Sequence, residues 1–235
     1  MAQSVRAGKF DVPLLYEDNH LLVAIKPPNL PTQADRSGDK DLLCILKDYI
    51  GQKYAKPGNV YLGLVHRLDR PVGGVMVFAR TSKAASRLSQ AFARHAQDRR
   101  YLAVLQGRLE AERRLEDWLR KDADGMVRVV SPDAPGAKRA LLVTRPLACR
   151  GGRTLAEVAL ETGRSHQIRV QHAHAGLPLW GDARYGGGRP GEQIALWAYR
   201  LGFEHPTRRE ALLFTAPPPR AGVWSDFEEE IGKLL

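Results

Sequence analysis

In VPLLYEDNHLLVAIKPP, residues 12–28, two apolar runs, Leu14 to Tyr16 and Leu21 to Ile25, flank a polar turn at Asp18-Asn19 and stop at Pro27-Pro28. Apolar runs of that length bounded by turn residues predict a β-hairpin. The Pro, Ser, Asp and Gly content of NLPTQADRSG, residues 29–38, predicts a loop. The period then changes: in DKDLLCILKDYIGQKY, Leu42, Ile45, Leu46, Tyr49 and Ile50 recur at helical spacing, which predicts a short amphipathic helix packed on a sheet. A second, surface helix is predicted over TSKAASRLSQAFARHA, residues 81–96. There Thr81-Ser82 supply an N-cap, and Ala84, Ala85, Leu88, Ala91 and Phe92 form one face, away from Lys83, Arg87 and Arg94.

Farther on, RRYLAVLQGRL alternates as a strand does, and LRKDADGMVRVV predicts a hairpin around Asp124-Gly125. Strands continue through RALLVTRPLACRGGRTLAEVALETG, with a turn at Gly151-Gly152. RSHQIRVQHAHAG predicts a helix from near Ser165 to Gly176, a favoured residue type for a left-handed helix end. IALWAYRLGFEH and EALLFTAPPP resemble strands, and SDFEEEIGKLL predicts a closing helix with Ser225 and Glu228 in capping-box register. Strands outnumber helices, hairpin signals dominate, and helices do not alternate regularly with strands. The pattern therefore predicts an α+β fold with a largely antiparallel sheet, not a doubly wound one. No repeat, low-complexity tract or linker interrupts it.

Composition narrows the class. With 235 residues and 43% apolar content, the chain suits one substantial core, and residues 1–235 are expected to form a single domain. Lys and Arg total 36 against 26 Asp and Glu, a net charge of +10 spread along the chain, which favours a polyanionic partner over a disordered basic arm. The two cysteines, Cys44 and Cys149, are far apart and suggest neither a zinc ribbon nor a disulfide framework. No apolar run is long enough for a signal peptide core or a membrane span. The expectation is a soluble cytoplasmic protein with no membrane partner.

One stretch breaks its own pattern. LVHRLDRPVGGVMVFAR, residues 64–80, has the apolar character of a buried strand but carries His66, Arg67, Asp69 and Arg70 in its interior. In an extended segment Arg67 and Asp69 share one face, and His66, Leu68 and Arg70 the other. A carboxylate with a cation beside it is ionised at neutral pH and suited to nucleophilic attack rather than proton donation. The same spacing also describes an ion pair at a strand end. A second polar cluster lies in LETGRSHQIRVQHAHAGLPLWGDARYGG, where Arg169, one turn into the predicted helix, has the reach and shape to hold Asp69 in a bidentate pair.

Together these stretches resemble the RluA-type family of RNA pseudouridine synthases, whose pattern runs HRLDxxTSG around the catalytic aspartate, then GRTHQIRVH, then GHPIxGDxxYG. LYEDNHLLVAIKPPNLPTQ is similar to the family's opening hairpin, RRYLAVLQG to its tyrosine strand, and ALWAYRLGFEHPTRREALLFTAPPP to its closing strands, so the resemblance covers nearly the whole chain. It implies a pseudouridine synthase-like fold, a mixed, largely antiparallel sheet flanked by helices and loops around a central cleft. The implied activity is isomerisation of uridine to pseudouridine in structured ribosomal or transfer RNA. It also implies roles: Asp69 the nucleophile, Tyr101 the residue stacked on the uracil and general base, Arg169 the guanidinium paired with Asp69.

Arg67, Arg70, His66, Arg164 and His166 would face the RNA, with Arg67 filling the gap left by the flipped nucleotide and the two histidines acting as polar supports. Unstacking of the target base is a prerequisite for such chemistry. Arg36, Arg94, Arg99 and Arg100 are further cations within reach of phosphates or simply solvated. The reaction gains and loses neither atoms nor electrons, so no cofactor is expected, and none of the usual cofactor fingerprints is present. His166, His172 and His174 do not share one helical face as zinc ligands would, so no metal site is expected and His172 and His174 read as structural.

Two departures from the family pattern stand out. Val72-Gly73-Gly74 replaces Thr-Ser-Gly after the aspartate, and Gln193 with ALWA (Ala195 to Ala198) replaces a basic residue with ALHA. The chain starts almost at the opening hairpin, without the S4-like RNA-binding module of many relatives, so target recognition is expected to come from the catalytic domain, with no obligate protein partner. The competing reading is an RNA-folding chaperone of the same fold without catalysis; a metal hydrolase is a third.

Overall fold

The computed structural model describes residues 3–35, 37–94, 97–189 and 191–235. In chain order the elements are β1 (Ser4–Ala7), β2 (Phe10–Glu17), β3 (Leu21–Lys26), α1 (Leu42–Lys53), β4 (Gly63–Leu64), β5 (Gly73–Ala79), α2 (Ser82–Ala93), β6 (Asp98–Gln106), β7 (Arg113–Lys121) and β8 (Val127–Val130). They continue with β9 (Lys138–Arg150), β10 (Arg153–Leu160), α3 (Gln167–His174), β11 (Leu196–Glu204), β12 (Ala211–Thr215), a 3-10 turn (Gly222–Phe227) and α4 (Glu228–Gly232). This is an α+β fold with a mostly antiparallel sheet, as the hairpin pattern predicts. The chain divides into two compact units, Met1–Asp98 with Ala198–Ala216, and Arg99–Trp197 with Pro217–Leu235.

In the first unit the strand order is β1-β2-β3-β5-β11, with β4 on β5 and β12 on β11. The predicted hairpin is β2–β3, and its turn is closed by Asp18, whose Oδ1 accepts the His20 and Leu21 N–H groups at 2.8 and 2.7 Å. Asp41 caps α1 by accepting the Cys44 N–H at 3.0 Å, and Thr81 caps α2 by accepting the Ala84 N–H at 3.2 Å. Such caps stabilise a helix by about 1 kcal/mol each. Ala84, Leu88 and Phe92, four residues apart along α2, bury against Leu21, Val23, Val75, Val77, Leu201 and Phe203 of the sheet. The last two residues of the predicted α2 segment, His95 and Ala96, lie outside the described residues. β1 has no counterpart in the sequence reading, because SVRA is short and lacks an apolar run.

In the second unit the order is β6-β10-β9-β7-β8, each neighbour antiparallel to the next. The predicted turns at Gly151-Gly152 and Asp124-Gly125 join β9 to β10 and β7 to β8. α3 lays Val170 on Leu119, Val127 and Ala140. The closing segment departs from expectation: Ser225 lies inside the 3-10 turn, and α4 begins at Glu228 with no side-chain cap. Trp224 and Phe227 are both buried, and their three-residue spacing suits the three-residue period of a 3-10 turn, so packing overrides the capping box. The two cysteines are both exposed thiols, Cys44 in the first unit and Cys149 in the second. Among the described residues no helix is long and apolar enough to cross a membrane.

Candidate active site

Asp69 lies between β4 and β5 in a segment, residues 65–69, without regular secondary structure. Donors meet three successive backbone oxygens there. The Thr32 hydroxyl donates to Leu68 O at 2.9 Å, and the Val72 N–H donates to Asp69 O at 3.0 Å. Arg70 O accepts from the Asn29 N–H at 2.8 Å and from Lys26 Nζ at 3.0 Å. Fixing the carbonyls on both sides of a residue fixes its backbone, so the half-buried Asp69 side chain is aimed by the loop that carries it.

Lys26, at the end of β3, is completely buried, and its Nζ also donates to Leu30 O at 2.6 Å and Pro27 O at 3.1 Å. Three carbonyl oxygens match the three hydrogens of an ammonium group. Burial pushes Lys26 down to about 7, while the charge of Asp69 pulls it up and that of Arg70 pushes it down. Neither Lys26 nor Thr32 was singled out from sequence. The available signal was a lysine ending an otherwise apolar strand immediately before Pro27-Pro28.

The other residues of this stretch divide by exposure. Leu68 is buried and Arg67 exposed, as alternation predicts; the alternation breaks at Arg70, where the chain turns and the side chain emerges into solvent. There Arg70 pairs with Asp39 and, at 3.5 Å, with Asp35. His66 Nε2 accepts the Val77 N–H at 3.1 Å and its ring stacks on Phe92 with centroids 4.8 Å apart, so the imidazole carries its hydrogen on Nδ1 and ties the segment to β5 and α2. At Gly74, φ is 130° and a Cβ would lie 2.3 Å from Ala198 O, which makes this glycine obligatory within the departing Val72-Gly73-Gly74 sequence.

In the second unit Tyr101 is buried on β6, opposite Val158 of β10. Arg99 precedes it on the same face. Sequence suggested a phosphate-facing or solvated cation, but Arg99 turns inward, because a Cβ on Gly163 would lie 2.8 Å from its Nη1. Burial lowers the Arg99 pKa, and the phenol of Tyr101 acts in the opposite sense. Arg100 pairs with Glu157 at 3.0 Å, Arg94 is exposed at the end of α2, and Arg36 lies outside the described residues.

Arg169, buried in α3, makes a bidentate pair that sequence did not reveal: Nε and Nη2 donate to Asp182 Oδ2 and Oδ1 at 2.8 and 2.7 Å. Its guanidinium also lies over the Tyr185 ring, 5.2 Å from the centroid. Asp182 Oδ1 accepts the Arg184 and Tyr185 N–H groups at 3.0 and 3.2 Å. Burial pushes the Asp182 carboxyl up, but the Arg169 hydrogen bonds and charge, with those N–H groups, outweigh it and hold it below the usual carboxylate range. Gly181 delivers Asp182 to this position: its φ is 69° and a Cβ would lie 2.3 Å from Gln193 O.

α3 starts at Gln167, two residues past Ser165, and the residues before it form a turn. Gln167 Oε1 accepts the Thr162 hydroxyl at 2.8 Å and the Arg164 N–H at 2.9 Å, and His166 has left-handed backbone with φ 52°. His166 Nδ1 lies 2.7 Å from the Tyr185 hydroxyl, and Arg164, exposed, donates through Nε to Arg139 O at 2.9 Å. His172 is fully buried, its Nδ1 2.8 Å from Ile168 O, and burial lowers its pKa to about 4. Among the described residues no group of three or more His, Cys, Asp or Glu side chains is placed to hold a metal ion.

The fold is that of a pseudouridine synthase: the human protein titled RNA Pseudouridylate Synthase Domain Containing 4 superimposes with a TM-score of 0.73 at 21% identity, over 88% of each chain. The family model described as RNA pseudouridylate synthase matches residues 20–174, a span that holds Asp69, Tyr101 and Arg169. YjbO of Bacillus subtilis, described as an uncharacterized RNA pseudouridine synthase, is 35% identical over 94% of this chain and 77% of its own length. The ribosomal large subunit pseudouridine synthase D of Zymomonas mobilis is 31% identical, over 89% and 71% respectively. The tRNA pseudouridine synthase C of Vibrio cholerae is 29% identical, over 93% and 95%. The chain belongs to the RNA pseudouridylate synthase family, in its RluA-type branch, and is an isomerase.

Proposed function

We propose that this protein isomerises uridine to pseudouridine in structured ribosomal or transfer RNA, in the cytoplasm, with residues 1–235 acting as a single catalytic domain and no obligate protein partner. The observation that carries the site assignment is the anchored loop of Asp69, with carbonyls 68, 69 and 70 each held by a donor inside the family-matched segment.

The chemistry assigns each role. The Asp69 carboxylate is the nucleophile, at C1′ or at uracil C6. The N1–C1′ bond breaks, the detached uracil turns, C5 joins C1′ as the bond to Asp69 is released, the proton on C5 leaves to a base, and N1 takes up a proton in exchange. Tyr101 stacks on the uracil and takes that proton; Arg169, oriented by Asp182, is the guanidinium partner of Asp69. Arg67 replaces the flipped nucleotide in the stack, and Arg70, Arg164, His66 and His166 support the RNA strand. Arg70 then exchanges its carboxylate partners Asp35 and Asp39 for phosphate. The ribosomal and transfer RNA targets of the relatives named above support this substrate class.

Release of tritium from RNA carrying C5-tritiated uridine tests the reaction. The wild type is expected to release label, and Asp69→Ala to lose at least about a thousandfold in rate. Retained activity in Asp69→Ala sinks the nucleophile assignment. Binding without release by the wild type on any cellular RNA pool favours an RNA-binding or RNA-folding role.

A further inference from the structure

A cavity of about 570 Å3 in the second unit is lined by Arg120, Lys121, Lys138, Gly163, Arg164 and Ser165, among others. Strand register explains why cations gather there. Leu119 of β7 lies opposite Lys138 of β9, and Lys121 opposite Val127 of β8, so these four side chains point to one face of the sheet. α3 covers the apolar part of that face through Val170 on Leu119 and Val127. Past the helix the same face continues as Lys121 and Lys138, both exposed, beside the turn at 163–165 that leads into α3.

Charge balance sets this cavity apart. Two neighbouring cations are matched: Arg120, itself on the cavity wall, with Asp122 at 3.0 Å and Arg139 with Glu116 at 2.6 Å. Lys121 and Lys138 have no ion pair with any described residue. Arg164 spends only Nε on a carbonyl, that of Arg139. Among the described residues no acidic side chain lines this cavity, whereas Asp48 lines the one along α1 and Asp39 the one beside Arg70. Lys121 and Lys138 stand diagonally across β7 and β9 on this face, where one anion in the cavity can balance both charges.

We propose that this cavity binds the phosphodiester backbone of the substrate RNA, a contact separate from recognition of the target uridine, with Lys121, Lys138 and Arg164 as the phosphate ligands. The proposal rests on the isomerase reading for its choice of polyanion. Two ammonium groups and a guanidinium fork suit phosphate oxygens, and such contacts position an RNA without reading its sequence.

The test is the salt dependence of binding of fluorescein-labelled bulk transfer RNA by wild type, Lys121→Gln/Lys138→Gln and Lys121→Arg/Lys138→Arg. The Gln pair is expected to bind about tenfold more weakly near 0.1 M salt. The slope of log affinity against log salt should be shallower by about 1.5, the loss of two phosphate contacts. The Arg pair should keep the wild-type slope, showing that charge and not folding is at stake. Tritium release by the Gln pair at saturating RNA should keep the wild-type kcat with a raised KM. An unchanged slope and affinity in the Gln pair overturns the proposal, as does a fall in kcat with the slope intact. A wild type that releases no tritium while the slope still drops leaves the phosphate site standing and removes the isomerase reading.

Discussion

The loop around Asp69 and the segment around Arg169 solve one problem, holding a charged group in place, in opposite ways. In the first unit the fixed part is backbone: Lys26, Thr32 and the N–H groups of Asn29 and Val72 grip carbonyl oxygens 68 to 70, and the carboxylate follows from where its Cα is put. In the second unit the fixed part is the head group: the Arg169 guanidinium is gripped by Asp182 and covered by Tyr185. A nucleophile that must approach a substrate atom benefits from a rigid platform. A cation that must supply a steady charge benefits from a rigid partner.

Substitutions at the two grips separate these modes. Asp182→Asn leaves a buried guanidinium without its countercharge and is expected to destabilise by about 3–5 kcal/mol in urea unfolding. A cost below about 1 kcal/mol there means that the head-group grip is not what secures Arg169. Lys26→Met removes the shared donor of three carbonyls at nearly constant volume and is expected to cost about 2–3 kcal/mol. Misplacement of Asp69 by the freed loop should also lower kcat about a hundredfold. If Lys26→Met turns over RNA like the wild type, the backbone grip is not what aims the carboxylate, and the contrast between the two units collapses.

A third effect concerns pH and belongs to the second unit alone. The unfolded imidazole of His172 takes up a proton near its ordinary value of about 6.5, whereas the folded one resists until about 4. Between those limits the unfolded state binds more protons, so stability falls as pH drops from about 6.5 to about 4. His172→Phe should flatten that part of a urea-midpoint profile measured against pH. A profile identical to the wild type would show that His172 does not titrate with unfolding.

Much of the fold could be read from local pattern: the 12–28 hairpin from apolar runs bounded by turn residues, with β3 buried on both faces, and α1 and α2 from the helical spacing of the one face each buries. What escaped was set by tertiary packing. The closing segment is 3-10 because Trp224 and Phe227 must both reach the core, and Arg99 turns inward because Gly163 leaves it space. Asp69 and Arg169 stood out as charges in apolar or helical settings. Their grips did not: Lys26 is 43 positions before Asp69, counting from the numbering, and Asp182 sits in a loop after α3. A carbonyl acceptor leaves no trace in a sequence, since every residue has one.

The placement of the two thiols has a practical consequence. The chain has two cysteines in all, both are exposed, and each unit carries one, Cys44 on α1 and Cys149 on β9. The native sequence is therefore already a two-site chassis for maleimide dyes. A donor and acceptor attached there would report by energy transfer whether RNA changes the separation of the units, with no engineered residue near the candidate chemistry.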